Sequence, residues 1–193
     1  METLIFISGD PGRLDVEHFI RKIYWDEYGA TLPEFPPVLL AARTRHGAIT
    51  AAAGIRTQAD GFFSEAYLSE PVETRLSACS GNDVPRSAIF EVANLASADP
   101  RMTASFIDGI VRYGVTQGFQ WSFFTLTRRL RSLIHRLGLD MAFLAEADRQ
   151  RIPNHPSWGT YYAADPGVFA IRNPSQTENL PAARKRDRHE EAA

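Results

Sequence analysis

Glu91 stands in an apolar run, Ile89-Phe90-Glu91-Val92-Ala93, and a carboxylate in that setting is a candidate proton acceptor. Burial disfavours its charged form and raises its affinity for a proton. The alternative is a structural ion pair with Arg86 or Arg56. Asn94, near the end of the same run, offers an amide that can hydrogen-bond a substrate or an oxyanion, and equally a residue type that turns a backbone. Glu65 lies beside Tyr67 in an apolar stretch, where it can bind an amine or hold a loop. Arg128, Arg131 and His135 fall on one helical face. A helix N-terminus adds a field that favours anions, and the alternative is a solvated basic face opposite Leu130, Leu133, Ile134 and Leu137. Trp121, Phe123 and Phe124 are core or pocket residues. Trp158, Tyr161 and Tyr162 follow a proline-containing loop and either pack or line a pocket mouth.

Other chemistries have no support. No His, Cys and carboxylate set has metal-ligand spacing. No Gly-x-Ser-x-Gly elbow, phosphate loop or dinucleotide fingerprint occurs. Cys79 is the one cysteine, read as a small residue filling space on a helix; a single thiol forms no intrachain disulfide.

These residues need elements to position them. Residues 4–7 read as a first strand or a mobile start, and Asp15 as the cap of a helix reaching Tyr28 and stopped by Gly29. Residues 38–42 and 49–55 read as an antiparallel hairpin around Arg45-His46-Gly47. The small side chains Ala51, Ala52, Ala53 and Gly54 leave room for a helix or a ligand. Residues 62–68 read as a short strand, followed by a helix with Pro71 near its first turn. Residues 87–94 form a strand that ends at Asn94. Asp99-Pro100 opens a helix ending near Gly118, and residues 119–126 form an aromatic-rich central strand. Thr127 caps the basic helix, and Gly138 ends it. Residues 141–145 read as another strand, and residues 161–162 and 168–171 as a late pair around Asp165-Pro166-Gly167. The order predicts an α/β (α+β) fold: a mixed, mainly antiparallel central sheet with helices on both faces.

Composition sets the outer bounds. The 193 residues fit one domain, expected over residues 1–172, with a disordered polar tail over residues 173–193. A formal net charge of -2 gives no general attraction to nucleic acid or to an anionic membrane. No stretch approaches the ~18 apolar residues of a spanning helix. The N-terminal run lacks the pattern of a signal peptide. The chain therefore reads as soluble and cytoplasmic.

Several segments taken together resemble the thermostable hemolysin family. They are Tyr28-Gly29-Ala30, Glu65-Ala66-Tyr67-Leu68, Glu91-Val92-Ala93-Asn94-Leu95-Ala96, Phe124-Thr125-Leu126-Thr127, Leu137-Gly138-Leu139 and Trp158-Gly159-Thr160-Tyr161-Tyr162. The family name implies lysis of red cells, yet the chain has no amphipathic membrane-inserting segment of suitable length.

More distantly, Glu91-x-x-Asn94-Leu95, a helix, and Phe124-Thr125-Leu126-Thr127 before a basic helix resemble the acyl-homoserine-lactone synthases of the N-acetyltransferase-like (GNAT) fold. Those enzymes carry an arginine where this chain has Asn94. The acetyltransferase pyrophosphate loop is replaced by Ala96-Ser97-Ala98-Asp99-Pro100, which leaves a donor other than acetyl-CoA open. This resemblance implies an acyltransferase acting from an acyl thioester, acyl-CoA or acyl carrier protein, on a small amine. Glu91 and Asn94 would be catalytic. Glu65, Tyr67, Trp121, Thr125, Trp158 and Tyr161 would contact substrate, and Arg128, Arg131 and His135 would dock the donor phosphate or the carrier protein. No cofactor would be bound permanently; acyl-CoA or acyl-phosphopantetheine would be a co-substrate. The competing readings are a non-catalytic partner-binding module and a membrane-active protein.

Overall fold

The computed structural model describes residues 3–153 and 155–174. Among them, seven strands form one sheet: β1 (Thr3–Phe6), β2 (Val38–Arg43), β3 (Ile49–Arg56), β4 (Ile89–Ser97), β5 (Trp121–Leu126), β6 (Ala142–Glu146) and β7 (Gly167–Arg172). Their spatial order is β1-β2-β3-β4-β5-β7-β6. Every neighbouring pair is antiparallel except β4 and β5. A parallel pair needs a crossover, and helix α3 (Pro100–Thr116) supplies it. Asp99 caps α3 by accepting a hydrogen bond from the Arg101 N–H at 2.9 Å, with Pro100 in the first turn.

Strand alternation divides the interior into two faces. Phe90, Val92, Phe124 and Leu126 point to α3 and α4 (Arg128–Arg136), against Phe106, Ile107, Ile110 and Ile134. Ile89, Trp121 and Phe123 point the other way, to α2 (Val72–Ser80). Leu39, Ala41 and Ala52 meet α1 (Arg13–Tyr28) on that same face. The space left by the alanine run is taken on both faces by helices. Ala51 and Ala53 join the α3 core, and Ala52 packs with α1. At Gly54 a Cβ would lie 2.5 Å from the Pro36 ring, so only glycine lets that proline segment close over β3.

Five local expectations are corrected. Helix α1 starts at Arg13 after a Gly12 cap, not at Asp15, which lies in its first turn. Arg13 itself is buried and fixes the start by donating to the Pro37 and Pro36 carbonyls at 2.7 and 2.8 Å. Residues 62–68 hold a 3-10 turn (Ser64–Tyr67) instead of a strand, because the Phe63 and Ser64 N–H groups turn onto the Glu91 carboxylate. Tyr161–Ala164 is likewise a 3-10 turn; β7 already has β5 and β6 as neighbours, so no edge is free for a further partner. Strand β4 does not end at Asn94. It runs to Ser97 through an irregularity in which Asn94 has φ 54° and the pairing with β3 shifts, as in a β-bulge. Cys79 is exposed on α2 and fills no interior space.

Asn173 is held in the folded body: its N–H donates to the Gln120 carbonyl at 2.8 Å, and its side chain to the Phe119 carbonyl at 3.1 Å. Residues 175–193 of the expected tail lie outside the described residues. Among the described residues, no helix is long and apolar enough to cross a membrane.

Candidate active site

The ladder between β4 and β5 ends at the pair Val92–Phe124. Beyond it each strand follows its other neighbour: Ala96 and Ser97 stay on β3, and Thr125 and Leu126 stay on β7. The two strands therefore part, and the gap is a cleft of about 540 Å³, within the range of small-molecule sites. Its walls come from both faces of the sheet. On the α3–α4 side they are aliphatic, with Leu95, Ile107, Ile110, Leu130 and Ile134. On the α1–α2 side they are aromatic, with Tyr24, Tyr28, Phe63, Trp158 and Tyr161. Glu91, Asn94, Ser64, Thr125 and Arg56 also border the cleft.

Glu91 is fully buried, and both of its oxygens are engaged. Oε2 accepts the Phe63 N–H at 2.6 Å; Oε1 accepts the Ser64 N–H at 2.8 Å and the Ser64 hydroxyl at 2.6 Å. The Ser64 hydroxyl in turn meets the Thr125 hydroxyl at 2.8 Å. Burial pushes the Glu91 carboxyl above its ordinary range, against the hydrogen bonds from Ser64 and Phe63 and the Arg56 charge. The three side chains make one hydrogen-bonded path from a buried carboxylate to a half-buried threonine in the cleft wall.

The aromatic wall is held by a short segment packed on the end of α1. The Thr160 N–H donates to the Tyr28 carbonyl at 2.9 Å, and the Thr31 N–H to the Ser157 carbonyl at 2.7 Å. Tyr161 sits among the rings, 5.2 Å from Tyr28 and 5.3 Å from Trp158 between centroids. The hydroxyls of Tyr67 and Tyr162 pair at 2.7 Å, and burial holds the Tyr67 phenol well above its usual range.

Of the residues singled out in the sequence, Glu91, Asn94, Tyr67, Thr125, Trp158 and Tyr161 meet at this cleft. Glu65 and Trp121 do not line it. The Glu65 carboxylate is gripped by Arg86 at 2.6 and 2.7 Å and accepts the Val72 N–H at 2.9 Å, and Arg86 holds it below the usual range. Arg86 also reaches Glu73 at 2.6 Å. Glu65 thus holds the loop that carries Ser64. Trp121 points into the α2-side core, where alternation along β5 places it with Phe123. Arg128 and Arg131 both reach Asp165, at 3.2 and 3.3 Å, and His135 is exposed; α4 gives the cleft Leu130 and Ile134 instead. Ser64, Phe63, Tyr24 and Tyr28 also line the cleft, and were assigned no chemistry from the sequence. Among the described residues no group of three His, Cys, Asp or Glu could hold a metal ion.

The family model described as thermostable hemolysin matches residues 7–176. No curated protein matches the sequence. Solved structures share the fold. The AHL synthase LasI superposes with a TM-score of 0.58 at 12% identity, covering 90% of this chain and 91% of LasI. FeeM, an N-acyl amino acid synthase from uncultured soil microbes, gives 0.56 at 13% identity, covering 90% and 93%. A GCN5-related N-acetyltransferase from Kribbella flavida gives 0.51 at 13% identity, covering 88% and 97%. The fold is GNAT-like.

Proposed function

We propose that this chain, which belongs to the thermostable hemolysin family, is an acyltransferase that moves an acyl group from a thioester to a small amine. The observation that carries this reading is the Glu91–Ser64–Thr125 hydrogen-bonded path opening into a cleft with one aliphatic and one aromatic wall. Two of the similar structures, an AHL synthase and an N-acyl amino acid synthase, agree with it.

In this mechanism the acyl chain lies against Leu95, Ile107, Ile110 and Ile134, with its carbonyl where the strands part. The amine enters along the aromatic wall. Its lone pair attacks the carbonyl carbon; the C–N bond forms, the C–S bond breaks, and the thiol leaves. Glu91 is fully buried and both of its oxygens are already engaged, so the amine proton reaches it indirectly. Thr125 takes that proton as it passes its own to Ser64, and Ser64 passes its own to Glu91; run in reverse, the same path delivers a proton to the departing sulfur. Asn94 orients the reacting group from the bulge. The donor's phosphate or an acidic carrier protein docks outside, on the face formed by Arg128, Arg131 and His135. Acyl-CoA and acyl carrier protein are both admitted as donors, and the reaction is proposed without any resident cofactor.

The test is native mass spectrometry with acyl-CoA and acyl-carrier thioesters of graded chain length, followed by thiol release in the presence of amines. Selective retention of one donor, weakened by Arg128→Ala with Arg131→Ala, is the expected result. No retention at any chain length would overturn the reading.

A further inference from the structure

Arg56 is the last residue of β3 and stands opposite Glu91 in the antiparallel register. Directly opposed residues project from the same face of a sheet, so both side chains lie on the face that carries the aromatic wall. Arg56 also lines the cleft. It forms no hydrogen bond or ion pair among the described residues, and its Nε is buried with no partner. Its neighbours show how unusual that is. Arg86 is paired with Glu65 and Glu73, and Arg151 donates to the Tyr67 carbonyl at 2.6 Å. Arg43 and Arg75 also have an unpaired buried Nε, but of the three only Arg56 lines this cleft.

A buried donor without an acceptor is costly, and a planar guanidinium takes a carboxylate or a phosphate through paired hydrogen bonds; in the reading above the donor's phosphate docks on α4, which leaves a carboxylate for Arg56. The Glu91 carboxylate makes no hydrogen bond with Arg56; it is held by three donors from Phe63 and Ser64. When Glu91 takes up a proton, the nearby negative charge facing Arg56 also disappears.

We propose that the acceptor is an amino acid, whose carboxylate pairs with Arg56 while its amine faces Thr125. This rests on the acyl-transfer reading above. The overall change is acyl thioester plus amino acid giving N-acyl amino acid plus free thiol; the amine gives up its proton to the Thr125–Ser64–Glu91 path, the same path returns it to the departing sulfur, and Glu91 ends ionised as it began. Arg56 binds and orients the acceptor and takes no part in the bond changes.

The experiment compares amino acids with their amides and their decarboxylated amines, using whichever acyl thioester the protein retains. Wild type is expected to show a KM at least tenfold lower for the amino acids. Arg56→Gln is expected to collapse that preference, Arg56→Lys to restore part of it, and both to retain the donor thioester as wild type does. Wild-type protein provides a check that needs no variant: it retains an N-acyl amino acid in native mass spectra and loses the corresponding amide. Equal KM values for amino acids and plain amines would overturn the inference and leave acyl transfer standing. Loss of donor retention in Arg56→Gln, whatever the acceptor, would assign Arg56 to the donor and overturn it also. A wild-type protein that retains no thioester would bring down both readings.

Discussion

Glu91, Ser64 and Thr125 are hydrogen-bonded in a row, and in the proposed mechanism each can be changed with a different expected outcome. Glu91→Gln keeps the size of the side chain and removes its basicity. It is expected to fold and to lower turnover by about 10²–10⁴-fold in a thiol-release assay. The pH profile gives a second check. Glu91 accepts a proton only when ionised, so kcat/KM rises with pH as it deprotonates. Burial places that rising limb above the range of an ordinary carboxylate. Ser64→Ala removes a hydroxyl that stabilises the charged form, so its limb moves to still higher pH, with a lower plateau. A limb that stays in place would separate Ser64 from the proton path. Glu91 was legible in the sequence because a lone carboxylate inside Ile89-Phe90-x-Val92 has few settings other than a strand interior. Ser64 was not. Its role comes from a contact across 27 positions, and a serine in a polar-to-apolar loop carries no pattern that announces it.

The elements that hold the site are short and irregular, and these are the parts that local pattern failed to read. Residues 62–68 have the aromatic and apolar content of a strand, but the turn is set by Glu91 from one side and by the Arg86 pairs with Glu65 and Glu73 from the other. Arg86→Ala leaves Glu65 with only the Val72 N–H. It is expected to cost about 2 kcal/mol in a urea titration and to slow turnover more than it weakens donor retention. The 155–162 segment depends on one glycine. Gly159 has φ 54°, and a Cβ there would sit 2.1 Å from the Tyr28 carbonyl oxygen. Gly159→Ala is expected to lose roughly 1–3 kcal/mol of stability and to raise the acceptor KM, since Trp158 and Tyr161 move with this segment. Asp165-Pro166-Gly167 has the residues of a hairpin turn, but the segment before it is a 3-10 turn and β7 pairs with β5 and β6, because strand pairing is decided by the whole sheet.

For the molecule as a whole, the helix–hairpin–strand–helix–strand order was enough to predict a mixed sheet covered on both faces. The parting of β4 and β5 was not visible, because each strand is regular and the divergence comes from which neighbour it follows. The aliphatic lobe that this opens has a direct test. Ile110→Phe fills part of it, and is expected to cut retention of long-chain acyl thioesters about tenfold while short ones are still held, which a chain-length series in native mass spectra reads out.

A cleft walled by both faces of one sheet also constrains the order of events. In the proposed mechanism the two reactants approach from opposite sides, so neither must leave before the other arrives, and no thiol stands by to carry the acyl group, since Cys79 is exposed on α2. Double-reciprocal plots at several acceptor concentrations should therefore intersect and not run parallel, and the protein should carry no covalent acyl adduct when acceptor is withheld.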